Sequence, residues 1–137
     1  MSSSRSFWLG RMHPFRHHRL WIGMAWSGVL LCVVLSLMPA QRLGDMVPGT
    51  DKLHHTAAYF TLMLWHGWLL AQPRALRRAA GFLFVLGLIL EGLQSFLPWR
   101  SGNDPFDLLA NAAGIGLAWM LLLTPLHDAL RRWDRRF

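Results

Sequence analysis

The chain is poor in the residues that carry redox and disulfide chemistry. It has a single cysteine, Cys32, and a single tyrosine, Tyr59. One cysteine excludes an intramolecular disulfide and a cysteine-based zinc site. Cys32 lies inside an apolar run and reads as a small apolar filler of a helix. Charge is scarce too: 15% of the residues are Asp, Glu, Lys or Arg, against about 25% in ordinary soluble proteins. Acids are scarcest of all, 7 against 14 Lys and Arg, for a formal net charge of +7. In a soluble chain that balance would suggest nucleic acid. Here the charges stand in blocks between apolar runs, which is the pattern of a membrane protein. There is no nucleophile elbow or triad spacing, no HExxH helix and no internal repeat. The 137 residues suffice for one domain.

What the chain has in quantity is apolar sequence: 53% hydrophobic residues, with 8 tryptophans and 8 phenylalanines. A bilayer core about 30 Å thick needs about 20 apolar helical residues. Four runs have that length: Leu20 to Pro39, Leu53 to Ala71, Ala79 to Leu97, and Pro105 to Leu123. The first is the cleanest and lacks a good small-x-small cleavage site after it, so it reads as a retained span. The connections MVPGT, QPRAL and PWRSGNDP are short and rich in turn residues. Pro105 suits a first helical turn, and Asn103 or Asp104 could cap it. Short connections imply antiparallel neighbours. The expected fold is all-α, a polytopic membrane protein with an antiparallel bundle of four transmembrane helices.

Arginines orient the bundle. Arg5, Arg11, Arg16 and Arg19 precede the first span, Arg74, Arg77 and Arg78 stand between the second and third, and Arg131, Arg132, Arg135 and Arg136 follow the fourth. The other two connections carry only Arg42, Lys52 and Arg100. The positive-inside rule places both termini in the cytoplasm and the chain as a multi-pass protein of the cell inner (cytoplasmic) membrane. Three parts result: a basic aromatic cytoplasmic segment over 1–19, a four-span membrane domain over 20–124, and a basic cytoplasmic tail over 125–137. The tails mix arginine with Trp, Phe and Leu, as segments at the headgroup layer do. Membrane lipids are the expected partners and nucleic acid is not. His13, His17 and His18 read as part of the same wet basic face rather than a metal site, and no metal or cofactor is expected.

Polar residues inside the runs are the informative exceptions. Glu91 stands about two turns from the outer end of the third run, where an ionised carboxylate is costly unless paired or wet. Gln94 is three residues on. In the fourth run Asp107 and Asn111 are four apart, with Gly114 three further, where a glycine lets another helix come close. The second run opens on Asp51 and Lys52, then His55 and Tyr59 four apart. Three helices thus each present a polar pair at one depth beneath the outer surface, with Arg100 in the loop between two of them. Converging, they would form a polar pocket open to the outside. Its residue types could bind a headgroup phosphate or amine, relay a proton, or hold a divalent cation.

These motifs, in order, resemble the VanZ-like membrane protein family. DKLHHTAAYF, EGLQSFLPWR and DLLANAAG place Asp51, Lys52, His55 and Tyr59, then Glu91 and Gln94, then Arg100, then Asp107, Asn111 and Gly114 on the family's pattern, over about residues 51 to 114. His54 stands where an apolar residue is more usual, and Asp104 could share the part of Asp107. The resemblance implies a small polytopic membrane protein. Through the family's founding member it also implies a link to glycopeptide (teicoplanin-type) resistance, with a lipid-linked envelope precursor or lipoglycopeptide as partner. Three functions fit the residues. The set could be interhelical glue. It could bind a lipid headgroup or cell-envelope component. Or it could act on a lipid-linked substrate, with His55 or Glu91 as general base and Arg100 on the developing charge.

Overall fold

The computed structural model describes residues 12–39, 50–99 and 104–136. Every regular element among them is helical. α1 spans His18–Leu37, α2 Asp51–Leu69, α3 Pro73–Gln94 and α4 Pro105–Leu122. A 3-10 turn, η1 (Pro125–Asp128), and a short α5 (Ala129–Asp134) follow. An isolated antiparallel bridge joins Met12 to Leu70.

Local chemistry explains the helix ends. Asp104 is the N-cap of α4, its side chain accepting from the Phe106 N–H at 2.9 Å, with Pro105 at the first helical position. Proline also opens α3, at Pro73. This helix therefore starts six residues before the apolar run expected from Ala79, and it carries Arg74, Arg77 and Arg78 as helical residues. Three arginines do not disfavour a helix, since their straight side chains lose little rotamer freedom in one. Hydropathy alone places the boundary too late.

Successive long helices run in opposite directions. Ser36 near the end of α1 meets Gln94 at the end of α3, and Lys52 at the start of α2 meets Asp104 just before α4. α2 is central and packs on the other three, most closely on α4. That contact is made by a stripe of small buried residues on α4, Ala110, Gly114 and Ala118. At Gly114 an added Cβ would lie 2.3 Å from the Thr56 carbonyl oxygen of α2, and the Thr56 hydroxyl donates to the Ala110 carbonyl at 3.2 Å. Small residues are the usual means of close helix approach where surrounding lipid removes the hydrophobic drive for association.

The core gathers Tyr59, Leu62 and Met63 of α2 with Leu83 of α3 and Ile115, Ala118 and Leu122 of α4. α1 contributes a narrow stripe at a spacing of four, Trp21, Ala25 and Val29. The rest of its surface is apolar and exposed, including Leu20, Leu30, Leu31 and Val34. Leu88 and Ile89 on α3 and Leu117 and Met120 on α4 are exposed as well. α1 and α4 are each long and apolar enough to cross a membrane.

At the end of the bundle where α2 stops, the two ends of the described chain are tied together. Asp134, 2% exposed, accepts from the Arg16 backbone N–H at 2.6 Å and the Trp21 indole at 2.8 Å, and its Oδ1 lies 3.1 Å from His17 Nδ1. Burial pushes the Asp134 carboxyl up, but these donors outweigh it and hold it at about 2. His17, still about half exposed, thus also contacts this buried carboxylate. His13 packs edge-on against His127, near Asp128. Burial, then Arg131 and His127, keep the His13 imidazole below its ordinary range despite Asp128.

Candidate functional site

Of the polar residues expected to converge, Asp51, Lys52, His55, Glu91, Asp107 and Asn111 come together at the opposite end of the bundle, where α2 and α4 begin and α3 ends. The rim is half-exposed: Asp51, Lys52 and Asp104. Lys52 on α2 donates to Asp104 at 2.5 Å and also to Asp107. The Lys52 ammonium, and then the Phe106 N–H, hold the Asp104 carboxyl below its ordinary range. Asp104 thus caps α4 and shares the lysine with Asp107.

Beneath the rim, His55 is at the centre. Its Nδ1 lies 2.9 Å from Asn111 Oδ1 and 4.0 Å from Glu91 Oε1. Its Nε2 faces Asp107 Oδ2 at 3.8 Å and Asp51 Oδ1 at 3.9 Å. His54 is exposed, so it is His55 that turns inward. Adjacent helical residues are 100° apart, and the Tyr59 stripe that fixes the rotation of α2 in the core selects one of them. Asp107, Asn111 and Glu91 are all buried.

Two of the named residues serve at a distance from His55. Tyr59 is one turn deeper, 2% exposed, and belongs to the core. Its hydroxyl, with Asn111 Nδ2, occupies the space where a side chain on Gly87 would go. Gln94 is buried, but its amide donates to the Ser36 carbonyl of α1 at 2.8 Å and ties α3 to α1. Three helical residues turn through 300°, so Gln94 is 60° around from Glu91, enough to reach a different neighbour. Arg100 lies outside the described residues.

Among the described residues three buried side-chain atoms have no hydrogen-bond partner, His13 Nε2, His66 Nε2 and Glu91 Oε2, and the last belongs to this cluster. A carboxylate held this way costs stability unless a ligand or water completes it. Glu91→Gln is accordingly expected to leave the thermal midpoint in detergent unchanged or to raise it by a few degrees. A fall of several degrees would mean that the carboxylate is structural.

A cavity of about 560 Å³ lies elsewhere, between the first half of α1, the end of α2 and the start of α3, lined by Trp26, His66, Leu69, Arg78 and Phe82 among others. His66 Nδ1 lies 2.7 Å from the Leu62 carbonyl of its own helix. The cavity lining is apolar apart from His66 and Arg78 and offers little chemistry.

Sequence reasoning singled out Gly114 but not its companions Ala110 and Ala118, whose spacing of four was the available signal. It also missed Asp134 as an anchor, since nothing in HDALRRWDRRF marks which acid is buried. No protein-family model, curated protein or solved structure matches this chain.

Proposed function

We propose that this is a multi-pass inner-membrane protein of VanZ-like type that binds the headgroup of an envelope lipid or lipid-linked precursor in the polar cluster at the outer end of its bundle. The observation that carries this reading is the gradient from the half-exposed Asp51, Lys52 and Asp104 to the buried Glu91, Asp107 and Asn111, ending in a Glu91 oxygen without a partner. A buried carboxylate oxygen without a partner is costly and calls for an explanation, which a bound ligand would supply.

The four-span reading rests on length and charge. α2 and α3, at 19 and 22 residues, are about 28 and about 33 Å long at a rise of about 1.5 Å per residue. The arginines of α3 and of the C-terminal elements cluster at the end opposite the polar site, which the positive-inside rule puts in the cytoplasm. The exposed Leu, Ile and Met faces then meet lipid tails.

The test is native mass spectrometry of protein extracted with its lipids. The parent is expected to carry a headgroup-specific lipid that Asp107→Asn and Glu91→Gln lose while their thermal midpoints hold. Equal lipid on all three proteins would sink the reading, and lost lipid with collapsed midpoints would favour interhelical glue. The resistance implied by the VanZ resemblance would appear as a higher inhibitory concentration of a teicoplanin-type glycopeptide for cells bearing the parent than for cells bearing either variant.

A further inference from the structure

Among the described residues the cluster has four carboxylates, Asp51, Glu91, Asp104 and Asp107, around one ammonium, Lys52. A phosphate headgroup would meet a net negative site. The arrangement of lone pairs around His55 suggests what reverses that.

The Asn111 amide oxygen is an acceptor only, so its 2.9 Å contact requires the His55 proton on Nδ1. In the neutral form of the ring with its proton there, the lone pair of Nε2 points toward Asp107 Oδ2 at 3.8 Å and Asp51 Oδ1 at 3.9 Å. Three atoms of metal-ligand type then face one another, and a proton on Nε2 would be too far from either oxygen to form a hydrogen bond. The spacing instead suits a shared cation. Ligands about 2.1 Å from one metal ion stand about 3.4 Å apart at the tetrahedral angle and about 4.2 Å apart at most, so the 3.8 and 3.9 Å spacings lie within reach of one shared ion. One ligand atom from each of Asp51, His55 and Asp107 lies within 4.8 Å of the others. A histidine that donates its second N–H to a fixed acceptor is the usual companion of metal ligation, and Asn111 supplies that acceptor.

A second observation comes from α3. Glu91, 6% exposed, directs Oε1 to within 4.0 Å of His55 Nδ1 and has no partner for Oε2. Its unmet charge adds to the pull on a cation.

We propose that Asp51 Oδ1, His55 Nε2 and Asp107 Oδ2 hold a divalent cation, through which the cluster takes a phosphate-bearing headgroup. The inference rests on the reading of the cluster as a binding site. Imidazole with carboxylates suits manganese or zinc. Three protein ligands leave coordination positions for a phosphate oxygen. Asp107 divides its oxygens, Oδ1 to Lys52 and Oδ2 toward His55. Lys52 therefore both screens the site and competes for it.

The probe is Mn2+ titrated into detergent-purified protein stripped of lipid and pretreated with chelator, read by electron paramagnetic resonance. The parent is expected to take up one Mn2+, and Asp107→Asn and His55→Ala to bind it at least ten-fold more weakly. His127→Ala, which removes the His13, His127 and Asp128 cluster at the other end, is expected to bind like the parent. Lys52→Ala is expected to bind Mn2+ several-fold more tightly, a gain that misfolding cannot produce. No uptake by the parent at millimolar Mn2+, loss confined to His127→Ala, or no gain in Lys52→Ala would overturn the proposal. Because lipid is absent, failure here leaves the headgroup reading standing. Mn2+ uptake by a protein that carries no specific lipid would defeat that reading and keep the metal site.

Discussion

Gly114→Ala is expected to be among the most damaging single-methyl changes in this protein. The new Cβ would lie 2.3 Å from the Thr56 carbonyl oxygen and 2.8 Å from the Phe60 nitrogen. Both are backbone atoms of a helix and have no rotamer to adopt. α2 and α4 must move apart along their closest seam. Alanine adds up to about 1 kcal/mol of helix propensity, but overpacking of this kind costs about 1–3 kcal/mol and more where nothing can relax. The clash wins, and the thermal midpoint should fall by several degrees. Separation would also disturb the candidate site, because the Lys52–Asp107 and His55–Asn111 contacts cross the same helix pair. Gly67→Ala is the control. Its Cβ would approach Leu122 Cδ1 even more closely, but the three nearest atoms all belong to that one side chain, which unlike backbone has other rotamers to adopt. Its midpoint should stay within a degree or two of the parent. If Gly67→Ala proved the more harmful, the account of the α2–α4 seam would be wrong.

The second large effect concerns Asp134→Ala. Alanine leaves the Trp21 indole, in a 7% exposed residue, and the Arg16 N–H without their acceptor. An unsatisfied buried donor costs about 1–3 kcal/mol. The cost falls on the docking of residues 12–17 and α5 rather than on the four long helices. Trypsin should therefore cut after Arg16 and Arg19 at least ten-fold faster in Asp134→Ala, while helical circular dichroism hardly changes. Equal protection in the two proteins would refute the anchor. The pH dependence has a definite sign. The folded-state pKa, about 2, is below the ordinary carboxylate value of about 3.9. The stabilisation is therefore complete above the ordinary value and is lost as pH falls through about 2. Titration of Asp134 itself leaves the protection unchanged between pH 5 and 8, and its protonation should release the ends only in strong acid.

Much of this protein is decided within short stretches of chain. Alternating apolar runs and arginine blocks determine four long helices and short connections, because helix formation and the avoidance of buried charge are local matters. Spacing along each helix determines that His55 and Tyr59, and Asp107 and Asn111, share faces, because 3.6 residues make a turn. The polar residues could thus be nominated from sequence.

Tertiary packing decided the rest. The choice of His55 over His54 depends on the rotation of α2 in the bundle, which the Tyr59, Leu62 and Met63 face sets against α3 and α4. Gln94 faces α1 instead of His55 because a neighbour stands 60° around from Glu91, and no spacing on α3 encodes that neighbour. Asp134 is buried while Asp128 is half-exposed, although both sit in one short polar tail. The physical reason is common to all three: periodicity specifies angles within a helix, whereas the partner on each side is fixed by how closely helices approach. Between α2 and α4 that approach is governed by Ala110, Gly114 and Ala118 on α4.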